Sequence, residues 1–250
     1  MTFRVLLLTA WVMPWALLTG CATAPYGAAD PDPLEDVNRY SYNVTDALDK
    51  LVLGPVTDAY LQAVPGAVRA RVSNFYDNAG YLNTVLNGFL QGKFEQGLGD
   101  AARFAVNSTV GVLGLFDVAT ALGLPAQDED FGQTLGVWGA GEGAYLFVPV
   151  RGPSSLRDVA DTPLSIATNV LTYVDASMYT PLAILGVINA RAKVDAAIKV
   201  RDQAALDPYI FTREAYRQNR MHRIHDGDPP LPGPDSLDAA LDEELDRALQ

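Results

Sequence analysis

Pro163-Leu164-Ser165-Ile166 opens, and Val187-Ile188-Asn189-Ala190 closes, a stretch from Asp161 to Arg191 whose interior carries one charge, Asp175. How this stretch is read decides the fold. A membrane-spanning helix needs about 20 consecutive, predominantly apolar residues, and Asp175 and Pro181 cut the stretch into shorter pieces. A second stretch, between Arg103 and Asp117, has no charge at all but is interrupted by Asn107, Ser108 and Gly111. Two readings remain: ordinary buried core helices, or short helices that lie within the bilayer boundary or line a lipid path.

Working outward, most of the chain reads as helix. Asp32-Pro33-Leu34-Glu35 has a capping residue, a proline for the first helical position and a glutamate to complete a capping box. The spacing predicts a helix from there to about Leu51, broken by Gly54-Pro55, with Val64-Pro65-Gly66 punctuating the next segment. Ala67 to Phe75, Ala79 to Leu90 and Phe94 to Val106 read as three helices joined at Asn78 and Gly92. The glycine-spaced run Val110 to Phe116 suits a bend or a close helix approach. Short helices are expected over Asp117 to Leu122 and Asp130 to Val137. Ala144 to Val150 is the one good candidate for extended chain, and Pro149 makes it an edge or a loop wall. Ser154-Ser155 can cap a helix at Leu156, where Arg157 and Asp158 read as structural partners. Thr180-Pro181 is expected to start a long helix to about Ala205, and Asp207-Pro208 the last core helix to about Ile224. The expectation is an all-α single domain over residues 32–225 with at most a short extended segment. A Pro-rich linker and acidic tail follow over residues 226–250.

The N-terminus reads as an address. Met1 to Leu18 carries one charge, Arg4, and an apolar run, the pattern of a signal peptide over residues 1–20. Leu18-Thr19-Gly20-Cys21 resembles a bacterial lipoprotein cleavage site, so Cys21, the chain's only cysteine, is the expected lipidation residue, followed by a tether over residues 21–31. The formal charge is −12, and losing Arg4 makes the mature chain −13. Such a surface repels nucleic acid and anionic headgroups, so nucleic-acid binding and a polybasic membrane patch are excluded. Anchoring must come from acyl chains and apolar surface.

No enzyme chemistry stands out. The serine-hydrolase elbow Gly-x-Ser-x-Gly is absent, and the histidine nearest in sequence to Ser154 and Ser155 is His222. His222 and His225 share a helix end but lack a fixed third ligand, so no metal is expected. Gly139, Gly141 and Gly143 have no following lysine, so they make no phosphate cradle. No cofactor is expected.

A long ordered series of motifs resembles the MlaA (VacJ) lipoprotein family. It includes Asp32-Pro33-Leu34-Glu35 with Asn38-Arg39, Ser73-Asn74-Phe75, and Asn87-Gly88-Phe89-Leu90-Gln91-Gly92. It continues through Asn107-Ser108-Thr109, Asp130 to Gly139, Tyr145 to Pro149, Gly152 to Asp158 and Asp207-Pro208-Tyr209. The resemblance implies a ring-like helical domain embedded in one leaflet, the inner leaflet of the Gram-negative outer membrane, with an amphipathic channel. Ala22 after Cys21 fits sorting to that membrane. Its implied task is to remove mislocalised phospholipid from the outer leaflet and pass it to a soluble periplasmic carrier. The implied membrane partner is a trimeric porin. By the same resemblance Gly139, Gly141 and Gly143 would form a flexible gate, and Tyr145, Phe147 and Pro149 a channel wall. Two other classes compete: a passive envelope lipoprotein that scaffolds porins, and an envelope phospholipase.

Overall fold

A computed structural model describes residues 32–230. The expected signal peptide, Cys21, the tether and the tail beyond Pro230 lie outside those residues. Helix α1 (Glu35–Leu48) continues through a π-helical turn (Asp49–Leu53) into α2 (Gly54–Ala63). Gly54-Pro55 therefore does not break the helix as predicted. Pro55 has no N–H to place, and the Gly54 N–H reaches back to the Asp49 carbonyl, so the turn widens instead of stopping. Asp32 does act at the start, its Oδ1 accepting from the Leu34 N–H at 3.1 Å. Glu35 does not close a capping box. Its carboxylate pairs with Arg39 at 2.6 Å.

Helix α3 (Gly66–Leu90) is a single 25-residue helix where two were expected. Asn78 breaks helices when its side chain competes for its own backbone. Here its Nδ2 donates to Ser108 Oγ at 3.0 Å on the next helix, which removes the competition. Helix α4 (Phe94–Thr109) returns along α3, and Val112, Leu113 and Gly114, all at positive φ, then turn the chain sharply. The short α5 (Val118–Ala121) and α6 (Phe131–Val137) are capped by Asp117 and Asp130 as the sequence indicates.

Strands β1 (Tyr145–Val148) and β2 (Gly152–Ser155) form an antiparallel hairpin that pairs Tyr145 with Ser155 and Val148 with Gly152. Only the first strand was legible. Gly152-Pro153-Ser154-Ser155 contains no β-branched or aromatic residue, so its extended form is imposed by pairing and not by propensity. Ser155 Oγ then caps α7 (Leu156–Val159), and α8 (Asp161–Thr168) and a 3₁₀ turn (Val170–Tyr173) follow. Helix α9 (Ala176–Lys193) starts at Asp175, whose Oδ1 accepts from the Ser177 N–H at 2.9 Å, and it carries Pro181 in its interior. The predicted long helix is thus two, since α10 (Asp195–Ala204) begins anew after Val194. Helix α11 (Pro208–Ile224) is capped by Asp207 as expected.

The packing is inverted relative to a water-soluble protein. The buried apolar residues are Tyr42, Ala79, Tyr81, Ala119, Tyr145, Phe147 and Tyr209, with no leucine, isoleucine or valine among them. Among the described residues, buried polar and charged residues outnumber them, 18 to 7, while 33 large hydrophobic side chains are exposed. Scattered exposed leucines are normal, but a polar interior beneath an apolar exterior is not. Among the described residues no helix is long and apolar enough to cross a membrane. The described domain is helical with one small hairpin, and its apolar face points outward.

Two polar junctions hold it. Asn38 stands at the free edge of β1 like a missing strand: its Nδ2 donates to the Tyr145 carbonyl at 2.9 Å, and its Oδ1 accepts from the Phe147 N–H at 2.8 Å. Behind it Tyr42, Phe147, Tyr145 and Tyr209 pack edge to face, with ring centroids 5.3 to 6.1 Å apart. At the second junction Arg220 on α11 bridges Asp130 of α6, at 2.5 and 2.9 Å, and Asp158 of α7, at 2.8 Å. Tyr216 donates to the other oxygen of Asp158. A side chain at position 132 would intrude here, since a Cβ would lie 2.4 Å from Asp158 Oδ1, which explains Gly132.

Replacing Asn38 with leucine strands two buried backbone groups and is expected to cost about 3 kcal/mol. Thermal denaturation of the detergent-solubilised protein measures this, and Asn38→Asp should also destabilise, because Asn38 Nδ2 donates to Asp32 at 3.1 Å and the variant would set two buried carboxylates against each other. Burial pushes the Asp130 carboxyl up, but its hydrogen bonds and charge contact with Arg220 outweigh this and hold it at about 2. A carboxyl depressed in the folded state adds stability that is complete above its unfolded pKa and lost on acidification through the folded value. The melting temperature should therefore fall between about pH 4 and pH 2, the span amounting to about 2 kcal/mol. Asp130→Asn should flatten that limb of the profile.

Candidate functional site

Helix α3 buries mostly polar side chains, Asn78, Tyr81, Thr84 and Asn87 among them. Asn74, Asp77, Asn78, Tyr81 and Thr84 recur at three- and four-residue spacing, the spacing that lines one helix face. That face borders a cavity of about 540 Å³, closed by Arg103 and Asn107 from α4, by the segment 126–130, and by Lys193 at the end of α9. A second cavity, about 720 Å³, lies beside it under the α3–α4 turn, lined by Lys93, Phe94, Gln96, Asp100 and Leu124. The two share Gln127. Between them stands a hydrogen-bonded partition: Tyr81 Oη donates to Asp100 Oδ1 at 2.6 Å and accepts from the Gln127 N–H at 3.0 Å. A third cavity, about 250 Å³, shares Lys193 with the first. Neighbouring cavities thus share a lining residue, from the α3–α4 turn to the end of α9.

The lining is ionic, yet each of its cations is committed. Arg103, itself buried, pairs with Asp117 at 2.8 Å and donates to Thr120 Oγ1 and the Leu124 carbonyl. Burial pushes the Asp117 carboxyl up, but bonds from Thr120, Arg103 and Asn107 prevail and hold it at about 2. Lys193 pairs with Asp77 at 2.6 Å. Lys93 pairs with Glu129 at 3.0 Å and Asp226 at 2.5 Å, while Gln91 and Gln96 also donate to the buried Glu129 carboxylate. The lining mixes these paired charges with apolar groups, among them Phe94, Leu124 and Pro125.

The residues singled out in the sequence lie elsewhere. Gly139 and Gly143 are exposed and at positive φ (90° and 69°), in the loop between α6 and β1. Tyr145 and Phe147 point into the aromatic core, and Pro149 is exposed at the hairpin turn. None of these, nor Gly141, lines the three cavities. Ser154 and Ser155 are buried, and Ser155 Oγ accepts from the Asp158 N–H at 3.1 Å, the capping role expected of it. His225 sets Nδ1 against the Met221 carbonyl, and among the described residues no cluster of three or more His, Cys, Asp or Glu is arranged for a metal. Arg157 and Asp158 are structural, joined to each other at 3.1 Å and through Asp158 to Arg220.

The chain matches the family model described as MlaA lipoprotein over residues 30–223. It is 34% identical over 216 residues to the intermembrane phospholipid transport system lipoprotein MlaA of Escherichia coli K12, covering 84% of this chain and 86% of that one. The Shigella flexneri protein of the same name matches at the same identity and coverage. An uncharacterized protein of Rickettsia conorii is 32% identical over 204 residues, 80% of this chain and 79% of the relative. A structure solved in work on the maintenance of bacterial outer membrane lipid asymmetry superposes with a TM-score of 0.67 at 32% identity, covering 76% of this chain and 98% of that one. The aligned span takes in both polar junctions and the cavity series, and on it the chain belongs to the MlaA lipoprotein family.

Proposed function

We propose that this protein transports phospholipid between membranes, as a lipoprotein of the outer membrane held by acyl chains on Cys21 and facing the periplasm. In this reading it sits in the inner leaflet, removes mislocalised phospholipid from the outer leaflet and passes it to a soluble periplasmic carrier, so maintaining lipid asymmetry. A trimeric porin is the proposed neighbour in the membrane. The observation that carries the reading is the inverted packing: 33 exposed large hydrophobic side chains around an interior of paired polar groups, with no spanning helix among the described residues. Hydrocarbon around the domain would bury that exterior, and the polar cavities would serve the headgroup. The named relatives from Escherichia coli and Shigella flexneri support the same role. Direction would come from the carrier.

The loop holding Gly139, Gly141 and Gly143 is proposed as the gate. Tyr145 and Phe147 would anchor its wall from the core side, and Pro149 would end it at the surface. Support comes from its two positive-φ glycines and its exposure beside the hairpin.

Deleting the gene should raise outer-leaflet phospholipid, measured by labelling intact cells, and the wild-type copy should reverse it. A Cys21→Ala copy should not. Phospholipid should co-purify with the protein, which a passive porin scaffold would not require. Gly141→Pro should slow lipid removal without lowering the melting temperature, and normal outer-leaflet phospholipid in that variant would count against the gate.

A further inference from the structure

Asp100 is the one lining group whose chemistry the cavity series leaves unfinished. It is 2% exposed, on the second turn of α4, and it lines the 720 Å³ cavity. Its Oδ1 receives the Tyr81 hydroxyl at 2.6 Å, but its Oδ2 is buried and accepts no hydrogen bond of good geometry. Gln96, on the same cavity, gives its amide to Glu129 at 3.0 Å and lies near enough to favour the Asp100 carboxylate without closing Oδ2. A buried carboxylate oxygen without a donor is costly, and such atoms call for an explanation.

The surroundings say which kind of donor would complete it. The two larger cavities are lined by seven carboxylates (Asp77, Glu95, Asp100, Asp117, Asp128, Glu129, Asp130) and three cations (Lys93, Arg103, Lys193). All three cations are already paired with carboxylates, and Asp128 and Asp130 pair with Arg223 and Arg220. Of the seven, Glu95 and Asp100 have no ion-pair partner among the described residues. A headgroup ending in a cationic N–H donor would meet an open carboxylate oxygen there, which one ending in an uncharged alcohol could not compensate.

We infer that Asp100 is a headgroup-binding residue that accepts a primary ammonium, so that the path favours phospholipids with an aminoethyl headgroup over those ending in an uncharged alcohol. This rests on the transport reading and adds the substrate class to it. The carboxylate supplies charge and one free acceptor oxygen, and the ammonium supplies N–H donors that a quaternary choline lacks. Burial pushes the Asp100 carboxyl up, and an ammonium beside it would bring it down again.

The test uses the full-length protein in detergent, titrated calorimetrically with short-chain dihexanoyl phospholipids. Phosphatidylethanolamine should bind roughly ten-fold or more tighter than phosphatidylglycerol or phosphatidylcholine, about the worth of one charge-assisted hydrogen bond. Asp100→Asn, which keeps an acceptor for Tyr81, should reduce that preference to within about two-fold, and Asp100→Glu should retain part of it. The wild-type comparison between ethanolamine and choline lipids needs no variant and decides the question even if Asp100→Asn fails to fold. Equal binding of all three lipids overturns the inference while leaving transport standing. Absence of binding by any of them overturns both. Equally tight binding of free phosphoethanolamine overturns the lipid assignment, because the site would then read a soluble amine.

Discussion

A polar group taken out of water must find its partner within the fold, and that requirement governs most of the interior, with exceptions such as the hydroxyls of Tyr42 and Tyr145. With 18 buried polar residues against seven apolar ones, side-chain pairing takes the place that aliphatic packing holds in a soluble domain. Buried ion pairs repay their desolvation only when geometry is good and the remaining donors are satisfied. The Arg220 junction meets the first part of that condition, with two carboxylates on one guanidinium and a tyrosine closing the second, while Arg220 Nε stays buried without a partner. The Asn38 junction meets it for backbone, supplying one acceptor and one donor to an open strand edge. Aromatic residues complete the scheme. Tyr81, Tyr209 and Tyr216 each bury a ring and hand a hydroxyl proton to an aspartate, Asp100, Asp32 and Asp158 respectively.

The same requirement explains the outside. With the interior taken largely by polar groups, leucine, isoleucine and valine fall at half-buried or exposed positions. Many exposed positions of α1, α2, the turn at Val110 to Phe116, and α9 are apolar for that reason. Such a surface suits hydrocarbon, where dispersion replaces hydration and the helices already satisfy their own backbone.

Local chemistry was legible in the sequence where a cap announced itself. Asp117, Asp130, Ser155 and Asp207 sit where their side chains accept from the first turn of a helix. Misreadings came where a tertiary partner overrode a local signal. Asn78 reads as a break until Ser108 engages it, and Gly54-Pro55 reads as a stop until the π turn absorbs it. Thr180-Pro181 reads as a start, yet Asp175 had already begun the helix. The second strand left no trace because its residues have no strand preference. The cavity series was half visible: the polar recurrence at Asn74, Asn78, Tyr81 and Thr84 lay in plain sight, but periodicity is searched for in apolar residues, and an inverted protein writes its interior in polar ones. The glycine loop drew attention by resemblance, whereas the cavities are lined by helices 3 and 4.

The contacts that join the two ends of the domain also set its timetable. Asp32 receives the hydroxyl of Tyr209, Arg39 pairs with Asp207 at 2.8 Å, and Arg191 pairs with Asp49 at 2.6 Å. Each spans well over a hundred positions, so each requires nearly the whole chain to be present, and contacts so remote in sequence form slowly. The first helix thus has no permanent seat until the last has emerged. During synthesis the domain therefore stays open until its last helix has been made.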